Sequence, residues 1–129
     1  MCIRDRESLD RPGELTYDEN DLKIIETDLH QILSTAGENN ANVYMMNLPS
    51  RDLFNSTGKS PVMSEEYKML EKNLSNIVSG QGGVYLSFYD YIIEQKIDPD
   101  ILFFTCDPHY SNYGVSILTD FIYSQYKND

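Results

Sequence analysis

Cations are scarce in this sequence: ten Lys and Arg stand against 21 Asp and Glu, a formal net charge of −11 at pH 7. Nucleic-acid binding draws on a basic face that neutralises phosphates, and ten scattered cations do not build one, so the composition argues against such a partner. Cysteine is nearly absent too, with Cys2 and Cys106 alone. Two thiols so far apart give neither a disulfide framework nor a metal-ligand spacing, and they leave the redox compartment open. No stretch approaches the ~20 apolar residues that cross a bilayer, and the N-terminus lacks the apolar run of a secretory signal, so no membrane segment is expected in these residues. Internal repeats and low-complexity tracts are missing as well. What is present is 129 residues with 40% hydrophobic and 12% aromatic content, enough apolar material for one core and one domain.

The opening Met1-Cys2-Ile3-Arg4-Asp5-Arg6 has the form of a translated adapter sequence from assembled environmental DNA. On that reading the natural gene continues upstream, and residues 1–15 are set apart as a disordered or artefactual N-terminus. Residues 16–127 are expected to form the single domain. Thr16-Tyr17-Asp18-Glu19 has the S/T-x-x-E form of a capping box. Leu22, Ile25, Leu29, Ile32 and Leu33 follow on one helical stripe, with Gly37 as a left-handed stop. Asn42 to Leu48 is a short apolar run ended by Pro49, the pattern of a strand buried on both faces. After a long polar loop to Pro61, Ser64 is expected to cap a helix with inner residues Tyr67, Leu70, Leu74, Ile77 and Val78, closed by Gly80, Gly82 and Gly83.

Val84 to Tyr89 reads as a second strand and Asp90 to Lys96 as a helical turn broken at Ile97-Asp98-Pro99-Asp100. Ile101 to Thr105 reads as a third strand. A last helix begins near Ser111 or Asn112, with Ile117, Leu118, Phe121 and Ile122 facing inward. Alternation of this kind predicts a three-layer α/β fold, a parallel sheet with flanking helices, because parallel neighbours need a crossover longer than a hairpin. Three strands fall short of the ~5 to 6 of a typical sheet and leave apolar edges unpaired. The expected domain is therefore incomplete, the C-terminal part of a larger one, and its missing N-terminal half becomes its first partner.

Chemistry concentrates in Cys106-Asp107-Pro108-His109-Tyr110-Ser111-Asn112-Tyr113-Gly114, between the third expected strand and the last helix, where open α/β sheets collect their sites. Pro108 biases Asp107 toward extended backbone, so side chains 107 and 109 can project to one side. Asp107 can then accept a hydrogen bond from one ring nitrogen of His109, fixing the tautomer and leaving the other nitrogen to take a proton from a hydroxyl. The same residues also fit a plain polar strand-to-helix turn, with aspartate for turn chemistry and histidine exposed. Zinc binding by Cys106, Asp107, His109 and His30 is disfavoured by the spacing and the lack of a clear fourth ligand. Cys106 reads as a small buried hydrophobe and His30 as a surface residue. Arg51 has two readings, a fork for a sugar acid or an exposed arginine. Tyr91, Tyr110 and Tyr113 likewise suit either a sugar platform or ordinary packing. Asn47 more simply ends its strand.

The block Asp107 to Gly114, with the amphipathic segment Val115 to Tyr126 behind it, resembles the last conserved block of SGNH (GDSL-type) hydrolases. The D-x-H spacing, the aromatic after the histidine and the glycine five positions on are especially similar to alginate-type and other polysaccharide O-acetyltransferases. The resemblance implies a flavodoxin-like SGNH fold, Asp107 orienting His109, His109 as general base, and an upstream serine in a Gly-Asp-Ser context as nucleophile. It also implies an acylated carbohydrate or other small ester as substrate, no cofactor and no metal, and is compatible with export or the cell envelope; compartment itself stays unassigned.

No Gly-Asp-Ser occurs in the 129 residues, and the family's glycine block is not present. Ser50, Ser87 and Ser111 lack the strand-to-helix glycine context, so none is assigned as nucleophile. With the oxyanion hole absent too, the chain alone is expected to be inactive, a fragment of a serine-dependent hydrolase or O-acyltransferase. Two alternatives stand beside it. One is a non-catalytic α/β interaction domain. The other is a complete small α/β protein, which would need residues 7–15 to close the sheet although they read as coil.

Overall fold

The computed structural model describes residues 17–54, 65–105, 107 and 109–127. Helix α1 spans Glu19–Glu38. Asp18 is its N-cap: its side chain accepts from the Asp21 N–H at 3.0 Å, and Asp21 reciprocates by accepting from the Asp18 N–H at 2.9 Å. The capping box therefore sits two residues beyond the expected Thr16–Glu19 pair, of which Thr16 lies outside the described residues. Two short carboxylates satisfy the same orphan donors, and their charge suits the positive end of the helix. Gly37 does not stop the helix. Left-handed backbone falls instead on Asn40, at φ 55°, a residue type that tolerates it. Leu33 is buried and Leu22, Ile25 and Leu29 are half-buried, whereas Ile32 is 55% exposed. A helix turns about 100° per residue, and here the inner face is narrow enough that Leu33 lies on it while adjacent Ile32 falls outside.

Strand β1 (Tyr44–Asn47) pairs in parallel with β2 (Val84–Ser87), Tyr44 opposite Val84 and Asn47 opposite Ser87. Between them runs α2, Glu65–Gly80, the crossover that parallel pairing requires. Every β1 residue is half-buried, so the strand is not sealed on both faces as expected. Helix α2 buries Tyr67, Glu71, Leu74 and Val78, at helical spacing; the expected Ser64 cap lies outside the described residues. Gly82 takes φ 85°. At Gly83 an added Cβ would lie 2.8 Å from Val78 Cγ1 and 2.9 Å from Leu33 Cδ2, so a side chain there would have to displace one of them. These elements belong to one compact unit, Glu14–Asn47 with Ser64–Ser87.

Leu48–Met63 and Phe88–Asp129 belong to a second compact unit. A 3-10 turn covers Arg51–Leu53, helix α3 Phe88–Glu94 and helix α4 Pro99–Leu102. Phe88 and Tyr89, expected to end the second strand, open α3 instead, where Phe88 and Ile92 are buried four residues apart.

The third expected strand is corrected outright. The Asp98 side chain accepts from the Asp100 N–H at 2.9 Å, and Pro99 occupies the first helical turn, where its missing N–H costs nothing. Asp98-Pro99 thus starts a helix that takes up Ile101 and Leu102. Phe103 is left with a single antiparallel bridge to Tyr110.

Helix α5, Asn112–Lys127, closes this unit. It buries Phe121, keeps Ile117 and Leu118 half-buried and leaves Ile122 exposed, so the inner face is narrower than expected. Phe121 lies 5.6 Å from Phe88 and 4.7 Å from Tyr91, Phe54 stacks on Tyr89 at 5.9 Å, and Phe103 sits 4.8 Å from Tyr110, ring centre to ring centre. The fold is mixed α/β, mostly helical, with a two-stranded parallel sheet among the described residues. No helix among them is long and apolar enough to cross a membrane.

Candidate functional site

Phe103 and Tyr110 bridge, and Phe104, Thr105, Asp107 and His109 lie in the turn between them. Its legs are joined by Phe104 N–H to His109 carbonyl at 3.1 Å and Ser111 N–H to Leu102 carbonyl at 2.8 Å, and Asp107 N–H donates back to the Phe104 carbonyl at 3.2 Å. At the bend, Asp107 Oδ1 accepts the backbone N–H of His109 at 2.8 Å and lies 2.5 Å from His109 Nδ1. One carboxylate oxygen therefore holds both the main chain and the ring of the same residue. An ionised carboxylate only accepts, so Nδ1 carries the proton and Nε2 is the basic nitrogen of the neutral ring. The His109 side chain is 82% exposed and that of Asp107 47%, which leaves the ring reachable by a reacting partner.

The Asp107 carboxyl is held below its ordinary 3.8, chiefly by the His109 backbone N–H and then by the His109 ring; slight desolvation opposes this, and the charges of His109 and Arg51 add to it. Arg51 reaches the turn from the 3-10 segment. Its Nη1 donates to the carbonyls of Phe104 and Asp107, each at 3.0 Å. Neither sequence reading of Arg51 anticipated this, because main-chain carbonyl partners leave no trace in a sequence. Tyr110 donates its hydroxyl to the Pro49 carbonyl at 2.5 Å, and burial pushes its phenol well above the ordinary 10.0. Tyr110 and Tyr91 are engaged in ring packing, while Tyr113 is 59% exposed.

Several residues of the block that carries the family resemblance have architectural work. Ser111 caps α5 by accepting the Gly114 N–H at 3.0 Å while its hydroxyl donates to the Ile101 carbonyl at 2.6 Å, so this serine is committed in both directions. A Cβ on Gly114 would lie 2.1 Å from the Leu102 carbonyl oxygen; the glycine is what lets α5 sit on α4. Asp107 and His109 are brought together, and they are the pair in the block with acid–base chemistry to offer. Cys106 and Pro108 lie outside the described residues. His30, on α1, has its Nδ1 3.1 Å from Gln81 Oε1.

Comparison with protein-family models, with curated proteins and with solved structures returns no match to this chain.

Proposed function

We propose that Asp107 and His109 are the orienting acid and general base of a serine-dependent enzyme that hydrolyses or transfers acyl groups, with acetyl esters of carbohydrate as the substrate class. The observation that carries this reading is the hydrogen bond from His109 Nδ1 to Asp107 Oδ1 on an exposed turn. It leaves Nε2 as an outward-facing base, which is the arrangement acyl transfer to a hydroxyl requires. In the proposed reaction Nε2 takes the serine proton as the serine oxygen bonds to the ester carbonyl carbon. The proton then passes to the departing alkoxide, leaving an acyl-enzyme for water or an acceptor alcohol to resolve. Asp107 stays ionised throughout, consistent with its depressed pKa.

The nucleophile and oxyanion hole belong, on this proposal, to sequence outside Met1–Asp129, since no Gly-Asp-Ser lies within it. The parallel pair β1–β2 and its crossover helix are then C-terminal elements of a three-layer, flavodoxin-like sheet of SGNH type.

The test has two arms. In the product of the whole gene, a strand followed by Gly-Asp-Ser is expected in the upstream coding sequence, its serine labelled by a fluorophosphonate. His109→Ala there should lower acetyl-ester turnover by ~10² to 10⁴-fold, the usual worth of a general base. Met1–Asp129 by itself should hydrolyse p-nitrophenyl acetate no faster than its His109→Ala variant. No such serine upstream of the chain, or His109-dependent turnover by these 129 residues alone, would overturn the proposal.

A further inference from the structure

Hydrogen bonds to the carbonyls of a turn restrain its shape. In the turn that holds Asp107 and His109, two carbonyls, those of Phe104 and Asp107, converge on one atom, Arg51 Nη1, at 3.0 Å each. That nitrogen bears two hydrogens, and the pair of carbonyls uses both. Two residues earlier, the Pro49 carbonyl accepts the Tyr110 hydroxyl, and Tyr110 is the immediate neighbour of His109. A three-residue strap, Pro49 to Arg51, therefore grips the turn on both sides of the Asp107–His109 pair.

We propose that Arg51 is a positioning residue for that pair: by tying both carbonyls from one nitrogen it fixes the curvature at which Asp107 Oδ1 reaches the backbone and ring N–H groups of His109 together. The proposal rests on the reading of His109 as a base and adds to it the residue that sets its tautomer from a distance. The guanidinium acts through main-chain geometry, by its bonds to the Phe104 and Asp107 carbonyls. Arg51 charge also helps hold the Asp107 carboxyl ionised. Because a single nitrogen serves both acceptors, the flat two-nitrogen fork that distinguishes arginine from lysine is not what the turn uses. A lysine ammonium, with three donors on one atom, can replace it.

The experiment uses ¹⁵N-labelled Met1–Asp129 and reads the His109 ring nitrogens by long-range ¹H–¹⁵N correlation at a pH where the ring is neutral. In the unaltered chain the Nδ1–H form should dominate. Arg51→Met should lower the ratio of Nδ1–H to Nε2–H by about three- to tenfold, the net worth of one hydrogen bond, and Arg51→Lys should restore it. A lower melting temperature with an unchanged ratio in Arg51→Met would overturn the proposal, and so would a folded Arg51→Lys that fails to rescue. If Arg51→Met does not fold, scalar couplings across the hydrogen bonds from Arg51 Nη1 to the Phe104 and Asp107 carbonyl carbons of the unaltered chain decide. Their detection sustains the tie and their absence refutes it. None of these readouts involves turnover, so a failed clamp leaves His109 standing as the base, and an inactive whole-gene product leaves the clamp standing.

Discussion

Replacing Gly114 by alanine puts a methyl carbon 2.1 Å from the Leu102 carbonyl oxygen. Carbon and oxygen rest at ~3.3 Å or more, so the first turn of α5 must retreat from α4 by about 1 Å. Two hydrogen bonds cross that gap, Ser111 N–H to the Leu102 carbonyl at 2.8 Å and Ser111 hydroxyl to the Ile101 carbonyl at 2.6 Å. A retreat of that size takes both past the useful limit of ~3.2 Å. Their loss costs ~1 kcal/mol each, and forced overpacking against backbone adds ~1 to 3 kcal/mol. Against this, alanine gains up to ~1 kcal/mol of helix propensity. The net expectation is a loss of ~2 to 4 kcal/mol.

Gly37 is the control, since it also lies in a helix, α1, but has nothing within 4 Å of an added Cβ. Gly37→Ala should therefore be neutral or stabilising by up to ~1 kcal/mol. Urea unfolding followed by far-UV circular dichroism reads both; at an m-value of ~2 kcal/mol/M, Gly114→Ala should lower the midpoint by ~1 to 2 M. A Gly114→Ala chain as stable as the Gly37→Ala chain would refute the close approach of α5 to α4, and with it the view that this glycine has a steric rather than a chemical task.

Two further expectations follow from the same turn. The Asp107 carboxyl is depressed by the His109 N–H groups, so its contribution is present above the unfolded value near 3.8 and is lost as the pH falls through the lower, folded value. Its ¹³C carboxyl resonance should titrate with a midpoint below 3.8, and a midpoint at or above 3.8 would contradict the hydrogen bonding assigned here. Ser111→Ala removes the α5 cap and the tie to Ile101 at once. It should cost ~1 to 2 kcal/mol in urea unfolding, and a cost below a few tenths would show that the cap is dispensable.

The three long helices were legible because their apolar residues recur near every 3.6 positions, and the strands β1 and β2 because short apolar runs end at Pro49 and follow Gly83. Ile101 to Thr105 misled for a physical reason: five apolar or branched residues do not by themselves distinguish strand from helix. Asp98-Pro99 decides, and it is a helix start rather than a break. The capping box was displaced because two aspartates perform the reciprocal bonding that a Thr–Glu pair usually signals. Asp107 and His109 were readable from their i, i+2 spacing around a proline. Arg51 was not, since nothing in a sequence marks which carbonyls a guanidinium will meet.

The ring cluster of Phe54, Phe88, Tyr89, Tyr91, Phe103, Tyr110 and Phe121 has an optical consequence. The chain contains no tryptophan, so its near-ultraviolet ellipticity comes chiefly from tyrosines held in asymmetric surroundings, three of them in this cluster. Tyr110 is at once a cluster member and the residue after His109. The unlabelled protein therefore carries its own chromophore beside the Asp107–His109 turn, and slackening of that turn can be watched by light absorption while the helices stay intact.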